Sequence, residues 1–130
     1  MATWQLEKSF TFEAAHHLPL HDGKCRRPHG HSWKGRVIIR GTKIETVGAK
    51  SGMLMDFFDI KQILTPLVDG YLDHYDLNES LSLENPTSEE VARWIYRTLY
   101  PKFDRSPIYL HAVVIEETCT SACTYTEEEL

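Results

Sequence analysis

A chain of 130 residues, 42% hydrophobic and 25% charged, has room for one core and not for two, so a single domain over residues 1–130 is expected and disorder is not. A formal charge of −5 argues against general nucleic-acid binding, which needs a net basic surface, and no apolar run approaches the ~20 residues of a transmembrane helix. Cys25, Cys119 and Cys123 are too few and odd in number for a disulfide framework, and the N-terminus lacks the basic-then-apolar order of a secretory signal, so a cytoplasmic protein is expected.

From Trp4 onward the residues alternate. Trp4, Leu6, Phe10, Phe12 and Ala14 share one parity, with Lys8 as the exception, while Gln5, Glu7, Ser9, Thr11 and Glu13 take the other. This pattern predicts a strand with one buried face, and His16 falls on the apolar parity. Residues 29–41 predict a second strand, with His29, His31, Trp33, Val37 and Ile39 on one face against Ser32, Lys34, Arg36 and Arg40. Asp56 suits the N-cap of a helix whose stripe is Phe57, Ile60, Leu64, Leu67, Val68 and Tyr71, and Pro66 is expected to kink or end it. A second helix is predicted after Asn85-Pro86, where Thr87 and Glu90 have capping-box spacing. Its stripe is Val91, Trp94, Ile95, Thr98 and Leu99, and Pro101 is expected to close it. Residues 108–117 read as a strand and 122–126 as a short partner to it.

The order ββααββ predicts an α+β fold, a four-stranded antiparallel sheet with two helices packed on one face. Four strands leave two free edges, which edge-to-edge assembly into a ring would hide.

Strand parity also places chemistry. Inward side chains of adjacent strands approach to about 5 Å, so His16 on the first strand can meet His29 and His31 on the second. Two imidazoles on one buried face are costly unless something satisfies them. Three histidines bind zinc and leave a fourth position open, which is the pattern of a catalytic site. Iron or copper would also accept three imidazoles, and His17 or His21 could take the place of His16. Cys25 precedes His29 by four residues and is flanked by Lys24, Arg26 and Arg27, a setting that suits a reactive thiolate. It reads either as a base or nucleophile or as a fourth ligand that would make the metal structural. Asp73 beside His74 can orient an imidazole for proton transfer, although a bare dipeptide is a weak signal. Glu117 shares the parity of Val113 and Ile115 and is either a surface acid or an acceptor for paired N–H donors. Lys24, Arg26, Arg27, Lys34, Arg36 and Arg40 fall within residues 23–40 with no acid among them, whereas Glu127, Glu128 and Glu129 crowd the tail. Such a basic patch suits a small anionic ligand, or is a solvated strand face.

Five strings, taken together, resemble the 6-pyruvoyltetrahydropterin synthase family. They are Phe10-x-Phe12-x-Ala14-Ala15-His16, Cys25-x-x-x-His29-Gly30-His31, Leu72-Asp73-His74, Asn85-Pro86-Thr87-Ser88-Glu89 and Glu117-Thr118-Cys119-Thr120. The resemblance runs nearly end to end. With three residues between Cys25 and His29, the chain looks like the bacterial 6-carboxytetrahydropterin synthases of the queuosine pathway, where the pyruvoyl branch typically has five. This likeness implies the tunnelling fold, assembly into a homo-oligomer, commonly a hexamer, and 7,8-dihydroneopterin triphosphate as substrate. It implies that His16, His29 and His31 bind zinc, that Cys25 is the catalytic thiolate, and that Asp73 and His74 relay protons. Glu117 is then the pterin anchor, and Lys24, Arg26 or Arg27 meets the triphosphate. His17 stands where many relatives carry arginine. The rivals are the 6-pyruvoyl reaction on the same fold and a non-catalytic protein with structural zinc.

Overall fold

The alternation of the N-terminal segment commits it to a sheet with one wet and one dry face, and the computed structural model, which describes residues 2–103 and 107–128, places it there. Strand β1 (Trp4–His16) pairs antiparallel with β2 (His29–Gly41) along its whole length, from Trp4 opposite Gly41 to His16 opposite His29. Strand β4 (Ile108–Thr118) adds antiparallel to the far side of β2, and β5 (Ser121–Tyr125) adds to β4.

The sheet has five strands and not four. Tyr75–Asp76 forms a short β3 that runs parallel to β1, opposite Ala14 and Ala15, so the order is β3-β1-β2-β4-β5. Two residues carry no readable period. They pair because the peptide of Glu13 is gripped from both sides, its N–H by Asp73 Oδ1 (2.8 Å) and its carbonyl by the His74 N–H (2.6 Å).

Both long helices pack on one face. Helix α1 (Phe57–Leu67) is capped by Asp56, which accepts from the Phe58 N–H at 2.9 Å, and it buries Ile60, Leu64 and Leu67. Helix α3 (Ser88–Phe103) starts with Thr87 Oγ1 accepting from the Glu90 N–H (3.2 Å) and buries Val91, Ala92, Ile95, Tyr96, Leu99 and Phe103. These stripes meet Phe12, Trp33, Val37, Ile39, Leu110, Val113 and Ile115 of the sheet in one core. Neither proline stops its helix: α1 continues past Pro66 and α3 past Pro101. Both prolines lie on the exposed side, where the carbonyl each leaves unpaired can be hydrated. After α1 the chain widens into a five-residue turn, Val68–Leu72, closed by the Asp73 N–H on the Val68 carbonyl (2.8 Å), and the four-residue α2 (Leu77–Ser80) follows β3. In that geometry Phe57 and Tyr71 of the expected α1 stripe are about half exposed.

On the opposite, polar face, Arg36 pairs with Glu7 (3.0 Å) and Arg40 with Gln5 (2.8 Å) across β1 and β2. These two cations belong to the strand face, which leaves Lys24, Arg26, Arg27 and Lys34 as the exposed part of the basic patch, the first three of them around Cys25. Of the acidic tail, Glu127 pairs with Arg97 and Glu128 with His111, while Glu129 lies outside the described residues. No helix among the described residues is long and apolar enough to cross a membrane.

Candidate metal centre

His16 ends β1 and His29 opens β2 directly opposite it, while His31 stands opposite Ala14. The three ring centroids lie 4.6, 5.2 and 4.9 Å apart, and one nitrogen from each ring falls within 4.8 Å of the others. His16 is 1% exposed and the other two are half-buried. The floor of the site is Trp33, whose indole meets His16 and His31 edge-on and whose Nε1–H donates to the Ala14 carbonyl at 3.1 Å.

The backbone sets the tautomers. Nδ1–H of His16 donates to the Pro86 carbonyl (2.9 Å), and Nδ1–H of His29 donates to the Arg27 carbonyl (2.7 Å). A carbonyl can only accept, so Nδ1 of each ring carries a proton, and in the neutral imidazole the lone pair then lies on Nε2, the arrangement that metal-ligating histidines adopt. Nε2 of His16 and Nε2 of His31 are buried and find no hydrogen-bond partner among the described residues. Burial holds the His16 imidazole below the ordinary histidine value, against the opposing pull of the Pro86 carbonyl and Glu117. A neutral ring with an orphaned lone pair is what a cation requires, so the donor set fits a bound metal.

Glu117 reaches into this centre. Its Oε1 lies 3.1 Å from His16 Nε2 and 3.7 Å from His31 Nε2, with the side chain 30% exposed. It is therefore not an isolated surface acid at the strand end. Cys25 is half-buried in a single tight turn, Lys24–Arg26, of the β1–β2 loop, where its carbonyl accepts from the Leu18 N–H at 2.7 Å. It is not part of the three-histidine cluster.

Asp73 and His74 do form a pair, with Oδ2 and Nδ1 3.0 Å apart. The Glu13 N–H, and then the His74 ring, hold the Asp73 carboxyl below the usual aspartate value. His74 has a φ of +67°, a left-handed conformation that side chains rarely adopt outside functional or turn positions, and its ring projects into solvent. It shares a cleft of about 510 Å³ with His31, Glu13, Ser32 and Tyr75. The structure thus joins Glu117 to the histidines and joins His74 to His31 through the cleft. No hydrogen bond or ion pair among the described residues links Cys25 to either group.

His17 and His21 do not replace His16. The backbone of His17 is bound by Asn78, and the His21 ring accepts from the Gly23 N–H at 2.8 Å. Two residues at the site lie outside the sequence reading in this role, Pro86 and Asn78. A backbone carbonyl that orients a ring seventy residues away leaves no side-chain signal to read.

A model of the family described as 6-pyruvoyl tetrahydropterin synthase matches residues 5–128. The chain is 52% identical over 94% of its length to a Synechocystis protein named 6-carboxy-5,6,7,8-tetrahydropterin synthase, covering 92% of that protein. A Haemophilus influenzae protein of the same name is 34% identical, with 95% of this chain and 99% of that one aligned. The solved 6-pyruvoyl tetrahydropterin synthase of Caenorhabditis elegans superposes with a TM-score of 0.81 at 29% identity over 98% of both chains, which bears out the expected tunnelling fold. The chain belongs to the 6-pyruvoyl tetrahydropterin synthase family.

Proposed function

We propose that this protein is a zinc-dependent carbon–carbon lyase that converts 7,8-dihydroneopterin triphosphate and water into 6-carboxy-5,6,7,8-tetrahydropterin, acetaldehyde and triphosphate. The observation that carries the reading is the meeting of three imidazoles, two of them with orphaned Nε2 atoms, with Cys25 outside their cluster, in a chain 52% identical to a relative of that name. An open three-histidine site is the catalytic arrangement, and zinc is its commonest occupant.

Bound zinc would act as a Lewis acid toward the substrate's side-chain hydroxyls. The protein's own groups then divide the remaining tasks. Glu117 accepts the paired N–H donors of the pterin edge, and its position 3.1 Å from His16 Nε2 sets the pterin side chain beside the metal-binding nitrogens. Cys25 takes and returns a proton at the side-chain carbons. His74 does the same from the other side, held by Asp73 at 3.0 Å. Lys24, Arg26 and Arg27, exposed around Cys25, meet the triphosphate. Chain 1–130 acts as one domain in the cytoplasm, and the free strand edges of β3 and β5 are joined in a homo-oligomer, a hexamer in this reading.

Zinc-loaded protein incubated with 7,8-dihydroneopterin triphosphate should release acetaldehyde in step with 6-carboxytetrahydropterin. Turnover to a 6-pyruvoyl product with no acetaldehyde would replace this assignment with the pyruvoyl reaction.

A further inference from the structure

Asn78 lies in α2 and has no part in the chemistry proposed above, yet both of its amide donors and its amide oxygen are engaged near His16. Its Oδ1 accepts from the His17 N–H (3.0 Å), one Nδ2–H donates to the His17 carbonyl (2.9 Å), and the second reaches the Glu84 carbonyl (3.2 Å). Both amide donors are thus used, and the amide oxygen is engaged by the His17 N–H.

The position in the sheet explains this use. Strand β3 runs parallel to β1 opposite Ala14 and Ala15 and then stops, because the chain turns into α2 at Leu77. The His17 peptide, just beyond the end of β1, has no strand beside it among the described residues. The amide of Asn78 offers His17 the donor and acceptor that a further strand residue would have supplied. Asp76 keeps α2 in place for this, its Oδ1 capping the Asn78 N–H at 3.0 Å.

The third hydrogen bond ties the same side chain to the segment that carries Pro86. Glu84 is two residues before Pro86, and the Pro86 carbonyl is the acceptor for His16 Nδ1–H. One side chain therefore fixes the backbone just after His16 and the loop that sets the His16 tautomer. We infer that Asn78 is a positioning residue for the metal centre, orienting His16 by locking the His17 peptide to the Glu84–Pro86 loop. This rests on the reading that the three histidines hold zinc.

The test is Asn78→Asp, which keeps the shape and the acceptor for the His17 N–H but sets a carboxylate against two carbonyl oxygens. Three readouts are taken: zinc affinity by competition with a chromophoric chelator, the visible spectrum of the cobalt-substituted protein, and the His16 tautomer in metal-free protein by long-range ¹H–¹⁵N correlation. Loss of a partner that orients a metal ligand costs about 10–100-fold in affinity, and that loss is expected, with shifted cobalt bands and a His16 proton no longer confined to Nδ1. Asp56→Ala, which removes the cap of α1, controls for general destabilisation and should keep wild-type affinity, spectrum and tautomer at a lower melting temperature. If the aspartate variant does not fold, Asn78→Ala is read by the same three measurements, with the same result expected. Wild-type affinity and tautomer in the folded Asn78 variant, or an equal loss in Asp56→Ala, would overturn the role of Asn78 alone. Absence of zinc uptake by the wild-type protein would instead remove the metal reading on which it rests.

Discussion

The indole of Trp33 meets the imidazole of His16 edge-on, with ring centroids 5.0 Å apart and planes at 79°. The same indole stands edge-on to His31 at 5.6 Å and stacks on Phe12 at 5.7 Å and 7°. A stack of rings from the core thus ends under the metal centre, so the histidines rest on a surface that cannot shift without opening the hydrophobic interior.

This makes Trp33 both a core residue and a support for the three-histidine cluster. Trp33→Ala should cost about 3–5 kcal/mol, the usual range for a large aromatic truncated in a core. Trp33→Phe keeps most of the volume, loses the Nε1–H bond to Ala14, and should give a folded protein that binds zinc more weakly. Thermal unfolding with and without zinc separates the two effects. A Trp33→Phe protein with wild-type zinc-induced stabilisation would show that the ring is packing only.

His16 and His29 are predicted to differ in stability cost and to agree in metal loss. His16→Ala empties a fully buried position and leaves the Pro86 carbonyl without its donor, a penalty of about 1–3 kcal/mol in the metal-free protein. His29 is half-buried, and its Arg27 acceptor lies at the surface, so His29→Ala should cost about 1 kcal/mol or less. Each variant should lose more than about 100-fold in zinc affinity, since groups that merely orient a ligand are already worth about 10–100-fold. Added zinc should then raise the wild-type melting temperature and leave both variants unmoved. A zinc-induced rise in either variant would remove that histidine from the ligand set.

The parts of this site that are legible in the sequence are those carried by strand period. The bounds of β2 and the inward aim of His29, His31 and Trp33 follow from alternation, because the side-chain direction of a strand repeats every second residue. The caps at Asp56 and Thr87 are equally readable, since each is a short-range exchange between a side chain and the next turn. What is not readable depends on contacts made across the fold. Strand β3 exists because Asp73 and His74 grip Glu13, sixty residues earlier, and Asn78 acts on His17 from sixty-one residues away. Pro66 and Pro101 look like helix ends in sequence, yet each removes a hydrogen bond only on the solvent side. Strand parity alone leaves Glu117 open between a surface acid and an acceptor of paired donors, because it does not reveal that the imidazoles of His16 and His31 lie within 4 Å.

Cys25 decides between a catalyst and a structural zinc. Its absence from the three-nitrogen cluster predicts that Cys25→Ala folds, keeps one zinc per chain and loses activity. A fourth thiolate ligand would give the opposite result, because structural zinc sites supply folding energy and collapse when a ligand is removed. Metal analysis of purified Cys25→Ala, beside its melting temperature, is the measurement. A metal-free, destabilised variant would move the protein to the non-catalytic reading.

The grip of Asp73 on Glu13 should be visible in the acid limb of stability. Its carboxyl is held below the ordinary aspartate value of 3.8, first by the Glu13 N–H and then by the His74 ring. A carboxyl depressed in the folded state binds fewer protons there than in the unfolded chain, so its contribution is complete above the unfolded value and is lost as pH falls through the folded one. Asp73→Asn cannot ionise. The gap in melting temperature between wild type and Asp73→Asn should hold steady from neutral pH down to about 5, narrow below about 4, and close in stronger acid. Because His74 and β3 hang from the same contact, the closing gap should coincide with faster amide exchange at Glu13 and His74 in the wild-type protein. A gap that stays constant across this range would mean that the Asp73 carboxylate bears no share of the link between β1 and the turn carrying His74.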